Sequence, residues 1–340
     1  MNKLLPIETP NPYFGLYLYP EAKEMMEIQQ ENNWFAAEIK VESDEHDYRH
    51  VMPRNSYKAT SIILQSFVEI EQKVGEVWET IATWFPHSEI EGCAIQFAAM
   101  EKSVHAFFYQ KMSDVLNLSP EEVAESQQKI KVLKDKLEYL TEITSNLGRN
   151  KLVSLAVLAA IEQVLLFSNF AVLKSFGANG HNLIPHTISG VNYVIDDEVF
   201  HGEFAKYLFN KYTEESLKHG RVISETVSED IVDTIKEIVF HEDNMLDYIY
   251  EDEDMINDIY AKDIKIFIRS RANMVLEGLG IDPIYTIDAN PIAEWFYRGA
   301  NSIKSHDFFS STTNQYSRKW SEESFSLLDF IKDTDETSIY

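Results

Sequence analysis

The 340-residue chain has a single cysteine, Cys93. No disulfide can form within it, which suits a reducing compartment, and a cytoplasmic location is expected. Glycine and proline are scarce, at 12 and 10 residues. Helical periodicity therefore runs with few breaks, and no series of alternating strands interrupts it. Positive charge is also short. Lys and Arg total 30 against 56 Asp and Glu, a formal net charge of −26. Such a surface repels phosphate backbones, and no Lys/Arg cluster offsets it, so direct nucleic-acid binding is not expected. The opening stretch MNKLLPIETPNPYFG lacks a long apolar segment, and no secretion signal is read there. Only LVSLAVLAAIEQVLLFSNFAVL resembles a membrane span, and its centre carries Glu162 and Gln163. A carboxylate at mid-membrane is costly, so this segment is expected to be a buried core helix.

What is present is enough apolar residue, 44% of the chain, for a sizeable core. Helices are expected over about 20–32, 55–84, 88–117, 119–146, 150–175, 188–213, 215–250 and 254–278. SPEE at Ser119–Glu122 carries a start signal: an N-cap serine, proline at the first helical position and glutamate three residues after the cap. DANPIAEWF should break the last helix and restart it. From about 305 the sequence turns polar and aromatic without a sustained period. The expected organisation is an all-α domain over 1–304 and a mobile tail over 305–340.

Several helices aim a carboxylate inward. In 55–84, Ile63, Phe67, Ile70, Val74 and Trp78 form an apolar stripe that includes Glu71, while Glu69 falls on the other face with Gln65 and Lys73. In 88–117, Glu101 and His105 share the face of Phe97, Ala98, Phe108 and Met112. Glu162 is flanked at helical spacing by Leu158, Leu165 and Leu166. In DDEVFH, Glu198 and His201 stand three apart and point the same way. Each feature alone has a bland reading, as a surface pair or a hydrogen-bonded core residue. Four inward carboxylates together repel and demand compensation. Two divalent cations sharing four carboxylates and two imidazoles supply it, as in ferritin-like di-iron and di-manganese bundles. Mixed oxygen and nitrogen ligands suit Fe or Mn.

These residues resemble the small, radical-generating subunit of class I ribonucleotide reductase over nearly the whole chain. NNWFAAEI, FAAMEKSVHAFFY, AAIEQVLLFSNF, DDEVFHGEF, NPIAEW and the tail DFFSSTTNQYSRKW…SFSLLDF follow the family's segments in order and spacing. The resemblance implies a ferritin-like bundle whose metal ligands are Glu71, Glu101, His105, Glu162, Glu198 and His201. It implies that two Fe or Mn ions react with an oxygen species and oxidise Tyr109 to a radical. The oxidising equivalent would travel through Trp34, Asp197 and the tail residue Tyr316 to a separate large subunit, where ribonucleotides become deoxyribonucleotides. A homodimer is implied as well. Tyr109 follows His105 by four residues, about 6 Å along a helix.

The chain departs from the family at one point. The family has Glu-x-x-His, whereas this chain has Glu101-Lys-Ser-Val-His105. Either the extra residue is absorbed in a π-bulge and Lys102 turns outward, or Lys102 enters the site and its ammonium replaces a metal charge beside a modified Tyr109. The first is preferred, because four buried carboxylates need more positive charge than one ammonium. In the tail, Phe325, Leu327, Leu328 and Phe330 would dock in a groove of the large subunit, with Trp320 and Tyr340 as alternatives to Tyr316. Another ferritin-like di-metal oxidase, an iron store or a purely structural bundle remain as rival readings. The first shares the ligands without needing a relay, and the last two give Tyr109 and the tail no purpose.

Overall fold

The computed structural model describes residues 4–13 and 15–297. Tyr316 and the expected tail lie outside the described residues. The described residues are mostly helical: α1 (Pro20–Asn32), α2 (Arg54–Ala82), α3 (Ser88–Met100), α4 (Ala106–Val115), α5 (Pro120–Lys129), α6 (Lys131–Ser145), α7 (Lys151–Ala160), α8 (Phe167–Ser175), α9 (Pro185–Lys218), α10 (Thr226–Ile249), α11 (Ala261–Gly278) and α12 (Ala293–Phe296). Two widened π-helical turns, Glu101–His105 and Ile161–Leu165, join α3 to α4 and lead from α7 towards α8.

The core forms because each long helix carries an apolar stripe. In α2 the stripe is Ile63, Phe67, Ile70, Val74 and Trp78, all fully buried. α2 packs along α3 and α4, and α7 packs along α9. α6, α10 and α11 close over this inner set, with α10 against α7 and α6, and α11 against α8. The apolar segment Lys151–Ser175 is long enough to cross a membrane, with mean hydropathy 1.9, yet it is buried inside the bundle as expected.

Several helix ends have visible causes. Ser119 accepts from the Glu122 N–H while the Glu122 side chain accepts from the Ser119 N–H, closing the capping box read in SPEE. α9 starts at Pro185, three residues earlier than expected. Distant aspartates satisfy its first amides: Asp44 accepts from His186 and Thr187, and Asp47 accepts from Ile184. The helix expected over 119–146 divides at Ile130, whose ψ of 103° is extended. α5 then lies against α2, with the Gln127 side chain donating 2.7 Å to the Gln65 carbonyl. α9 runs on to Lys218 and ends before Gly220, which takes a φ of 71°. The helix expected over 254–278 begins only at Ala261. A short hairpin, β1 (Met255–Ile256) and β2 (Ile259–Tyr260), precedes it. Its turn is Asn257-Asp258, both at positive φ as a type I′ turn requires.

Glycines permit close approaches near the core, and Gly190 is one of them. A Cβ on Gly190 of α9 would sit 2.4 Å from the Phe108 ring, which is fully buried. On Gly92 of α3 the nearest atom would be the Met26 sulfur at 2.6 Å, the end of a flexible, half-buried side chain. Gly190→Ala is therefore expected to destabilise the protein by about 1–3 kcal/mol in denaturant unfolding. Gly92→Ala should cost less than about 1 kcal/mol, because the thioether can swing aside. Equal losses for the two would contradict this account of the packing.

Candidate metal centre

α2 presents Glu71 on its buried stripe, and Glu69 falls off it, half-exposed, as the spacing predicts. The turn after α3 presents Glu101 and His105, the turn after α7 presents Glu162, and α9 presents Glu198 and His201. All six side chains are fully buried. They form two groups whose ligand atoms lie within 4.8 Å of one another: Glu71, Glu101, His105 and Glu198, and Glu101, Glu162, Glu198 and His201. Glu101 and Glu198 belong to both.

The widened turn at Glu101–His105 accommodates the departure at Lys102. The turn takes up the residue by which this spacing exceeds Glu-x-x-His, so Glu101 and His105 both reach the buried cluster while Lys102 turns outward. The Lys102 ammonium lies 2.7 Å from Glu79 and away from the six buried groups. Its stem crosses Gly75, where a Cβ would come within 2.7 Å of Lys102 Cγ. The Gln72 amide donates to the Lys102 carbonyl at 3.4 Å. Gln72, Gly75 and Glu79 thus form one face of α2 fitted to the extra residue.

The donor set is short of positive charge. His105 Nδ1 faces three carboxylates: Glu198 at 3.1 Å, Glu101 at 3.2 Å and Glu71 at 3.4 Å. A single imidazole proton can serve one of them. Both oxygens of Glu71 and of Glu198 and Oε2 of Glu162 lack a hydrogen-bond partner of good geometry. His201 Nδ1 lies 2.7 Å from Glu101 and 4.0 Å from Glu162. Orphaned buried oxygens converging with two ring nitrogens are what a pair of divalent cations would satisfy. The residues therefore fit two Fe or Mn ions.

The outward side of His105 is fixed. Its Nε2 lies 3.0 Å from Asp197 Oδ2, and the Trp34 indole donates to the same oxygen at 2.8 Å. Donation from Nε2–H to Asp197 leaves the Nδ1 lone pair directed at the carboxylate cluster. Trp34 also stacks on His105, with ring centroids 5.9 Å apart. Tyr109 is fully buried, packed on Phe67 at 4.4 Å and Phe108 at 5.2 Å, and its hydroxyl has no hydrogen-bond partner.

Some contributors escape a reading of the sequence. Trp78 donates to Glu162 Oε1 at 2.5 Å. Its place seven residues after Glu71 was a usable signal, two turns along one stripe, but the residue reads as plain core. The second widened turn, at Glu162, leaves no trace in spacing because no partner histidine stands beside it to count from.

Burial pushes the Glu101, Glu162 and Glu198 carboxyls up, and their mutual repulsion adds to it; Glu198 reaches about 8 from 4.5. Burial alone would depress His105, but Glu101 beside it and hydrogen bonding to Asp197, Glu101 and Glu198 raise it instead. Burial depresses His201, and His105 adds to the effect. Burial also raises the Tyr109 phenol well above 10.0. A carboxyl raised on folding holds a proton that the unfolded chain has released, so stability falls as pH climbs from the unfolded to the folded value. His105 acts in the same direction, and His201 opposes it below about pH 6.5. The metal-free protein is expected to lose thermal stability steadily between about pH 5 and 8, with most of the loss abolished by Mn(II) or Fe(II). A rise in the chelated protein's midpoint over that range would contradict the charge assignment.

Comparison with known proteins agrees with this architecture. The family described as "Ribonucleotide reductase, small chain" matches residues 16–291. The chain is 25% identical over 323 residues to the probable ribonucleoside-diphosphate reductase small subunit 048L of Invertebrate iridescent virus 3, covering 90% of this chain and 84% of that one. It is 27% identical over 300 residues to the ribonucleoside-diphosphate reductase subunit beta of Bacillus subtilis, covering 84% and 85%. In fold it matches the dimanganese(II)-NrdF of Streptococcus sanguinis, with TM-score 0.71 and 20% identity over 86% of this chain and 99% of that one. A putative class I ribonucleotide reductase from Bacillus halodurans gives TM-score 0.73 and 20% identity over 83% and 100%. With the match extending across more than three-quarters of its length, this chain belongs to the ribonucleotide reductase small-chain family.

Proposed function

We propose that Glu71, Glu101, His105, Glu162, Glu198 and His201 hold two Fe or Mn ions, that Tyr109 carries a radical, and that Trp34, Asp197 and Tyr316 pass its oxidising equivalent to a large subunit. The chain is the small subunit of a ribonucleoside-diphosphate reductase, an oxidoreductase that acts with that large subunit to make deoxyribonucleotides. The observation that carries the site reading is the pair of four-residue groups sharing Glu101 and Glu198. Asp197 adds the connection that an isolated metal store has no use for, since one of its oxygens serves both Trp34 and His105.

Bound at this centre, the ions would supply the redox chemistry that draws oxidising power from an oxygen species. The protein supplies the surroundings. Phe67 and Phe108 wall Tyr109 off from water, with Phe170 packed behind Phe67 at 5.4 Å. Burial holds the Tyr109 phenol neutral, and the Glu71, Glu198 and Glu101 carboxylates near it add to the effect. An unpartnered buried hydroxyl costs about 1–3 kcal/mol, a burden that a phenylalanine would avoid. That cost supports a chemical reason for the hydroxyl. Asp197 fixes the tautomer of His105 and connects the ring to the Trp34 indole.

The partner contacts belong to the same proposal. A homodimer is supported by exposed apolar groups on the bundle surface. Ile95 of α3 and Phe107 of α4 are 51% and 60% exposed, and Phe35 is 66% exposed. Lys111, one turn after Phe107, donates to the Ala36 carbonyl beside Phe35, so Phe107 and Phe35 share a surface. The segment 318–340, with Phe325, Leu327, Leu328 and Phe330, would seat on the large subunit. Such an enzyme is expected in the cytoplasm, where its substrates and a reduced Cys93 would be found.

Tyr109→Phe should keep both metals and at least the stability of the parent, yet show no tyrosyl signal in low-temperature EPR. An unchanged signal would rule Tyr109 out. A synthetic peptide of residues 318–340 should compete with the full chain for the large subunit, and a peptide without effect on the complex would remove the tail from this account.

A further inference from the structure

Three helices that supply no ligand converge on the turn that carries Glu162. Lys136 of α6 is fully buried, and its ammonium donates 3.0 Å to the Leu165 carbonyl. It pairs with Glu242 of α10 at 2.5 Å, and Ser168, at the start of α8, donates to the same carboxylate. Arg271 of α11, 3% exposed, donates through Nε to the Gln163 carbonyl at 2.9 Å. Its guanidinium lies 3.8 Å from the centre of the Phe167 ring, and Nη1 donates to the Tyr297 hydroxyl. Two buried cations thus reach the two carbonyls that flank Val164 in the widened turn. Ordinary α-helical bonding is present again where the Phe170 N–H donates to Leu166.

A widened turn displaces the regular i to i+4 bonds and turns carbonyls away from their usual donors. In an apolar interior those carbonyls need another partner. Burying a lysine, a glutamate and an arginine is costly, and methionine or leucine would fill the same space without that cost. The geometry points to a specific role: Lys136, with Glu242 and Ser168, and Arg271, with Phe167, are positioning residues that hold the 161–165 turn open and so aim Glu162 into the second ligand group. This rests on the proposed ligand role of Glu162. Neither cation approaches the carboxylate cluster itself; each acts through a backbone carbonyl.

The two groups of ligands make the inference testable, because Glu162 and His201 belong to one, and Glu71 and His105 to the other. The double variant Lys136→Met/Glu242→Gln replaces the buried pair by neutral groups of similar size, a change the fold should tolerate. Arg271→Met tests the other carbonyl independently, and Arg271→Lys restores a cation within reach of it. Mn(II) titration of the metal-free full chain should show two sites in the parent. In the double variant and in Arg271→Met, one site should weaken by about tenfold or more while the other holds, the usual scale for removing an outer support of a ligand. Arg271→Lys should recover part of the loss. Without metal, amide hydrogen exchange over 161–167 should quicken in the weakened variants and stay unchanged in α2. If the parent binds no Mn(II), the ligand assignment and this inference fall together. If the parent binds two ions and the variants bind both unchanged, with unchanged exchange, this inference alone falls. Should the double variant fail to fold, Arg271→Met decides the question by the same readings.

Discussion

Four carboxylates buried in one space are the constraint around which this bundle is arranged. Glu71, Glu101, Glu162 and Glu198 are fully buried, and two imidazoles are the only side-chain bases that face them in the two ligand groups. Without added positive charge the carboxyls must hold protons, and burial and mutual repulsion push Glu101, Glu162 and Glu198 in that direction. With two divalent cations the same arrangement becomes favourable. The surrounding apolar layer then strengthens every ionic contact inside it, and the cost of assembling the cluster is met by metal binding.

The second theme is the widened turn. Two of the four chain segments that bring the candidate ligands inward use one, at Glu101–His105 and at Ile161–Leu165. Each must be held open against the ordinary helix. At the first, the fit is steric: Lys102 lies across Gly75 and reaches Glu79. That ion pair is 27% and 57% exposed on its two sides and contributes little, so the space over Gly75 governs where Lys102 goes. At the second, the fit is ionic and buried, through Lys136 and Arg271. Lys102 therefore serves the helix, while the positive charge the cluster requires comes from elsewhere.

Much of this was legible in the sequence, for identifiable reasons. The helix expected over 20–32 coincides with α1, which has Pro20 at its first position. Glu71 was separated from Glu69 by a stripe long enough to define a face. The widened turn at Lys102 could be read because Glu101 and His105 form a pair with a countable spacing. The second turn has no such pair. Lys136, Glu242 and Arg271 stand 106 and 29 positions apart in the chain, and nothing local distinguishes them from surface charges. The caps that Asp44 and Asp47 place on α9 are long-range in the same way. The helix expected over 215–250 runs through Gly220, which lies past the end of α9 at Lys218 and before the start of α10 at Thr226, and the helix expected over 254–278 runs through the Asn257-Asp258 turn; in both, local turn chemistry wins over helical periodicity.

The most direct measurement of the central claim is anomalous X-ray diffraction from crystals loaded with Mn(II), collected at the manganese edge. Two peaks per chain are expected, one among Glu71, Glu101, His105 and Glu198, the other among Glu101, Glu162, Glu198 and His201. Peaks elsewhere, or no manganese among these six side chains in a folded and loaded protein, would contradict it.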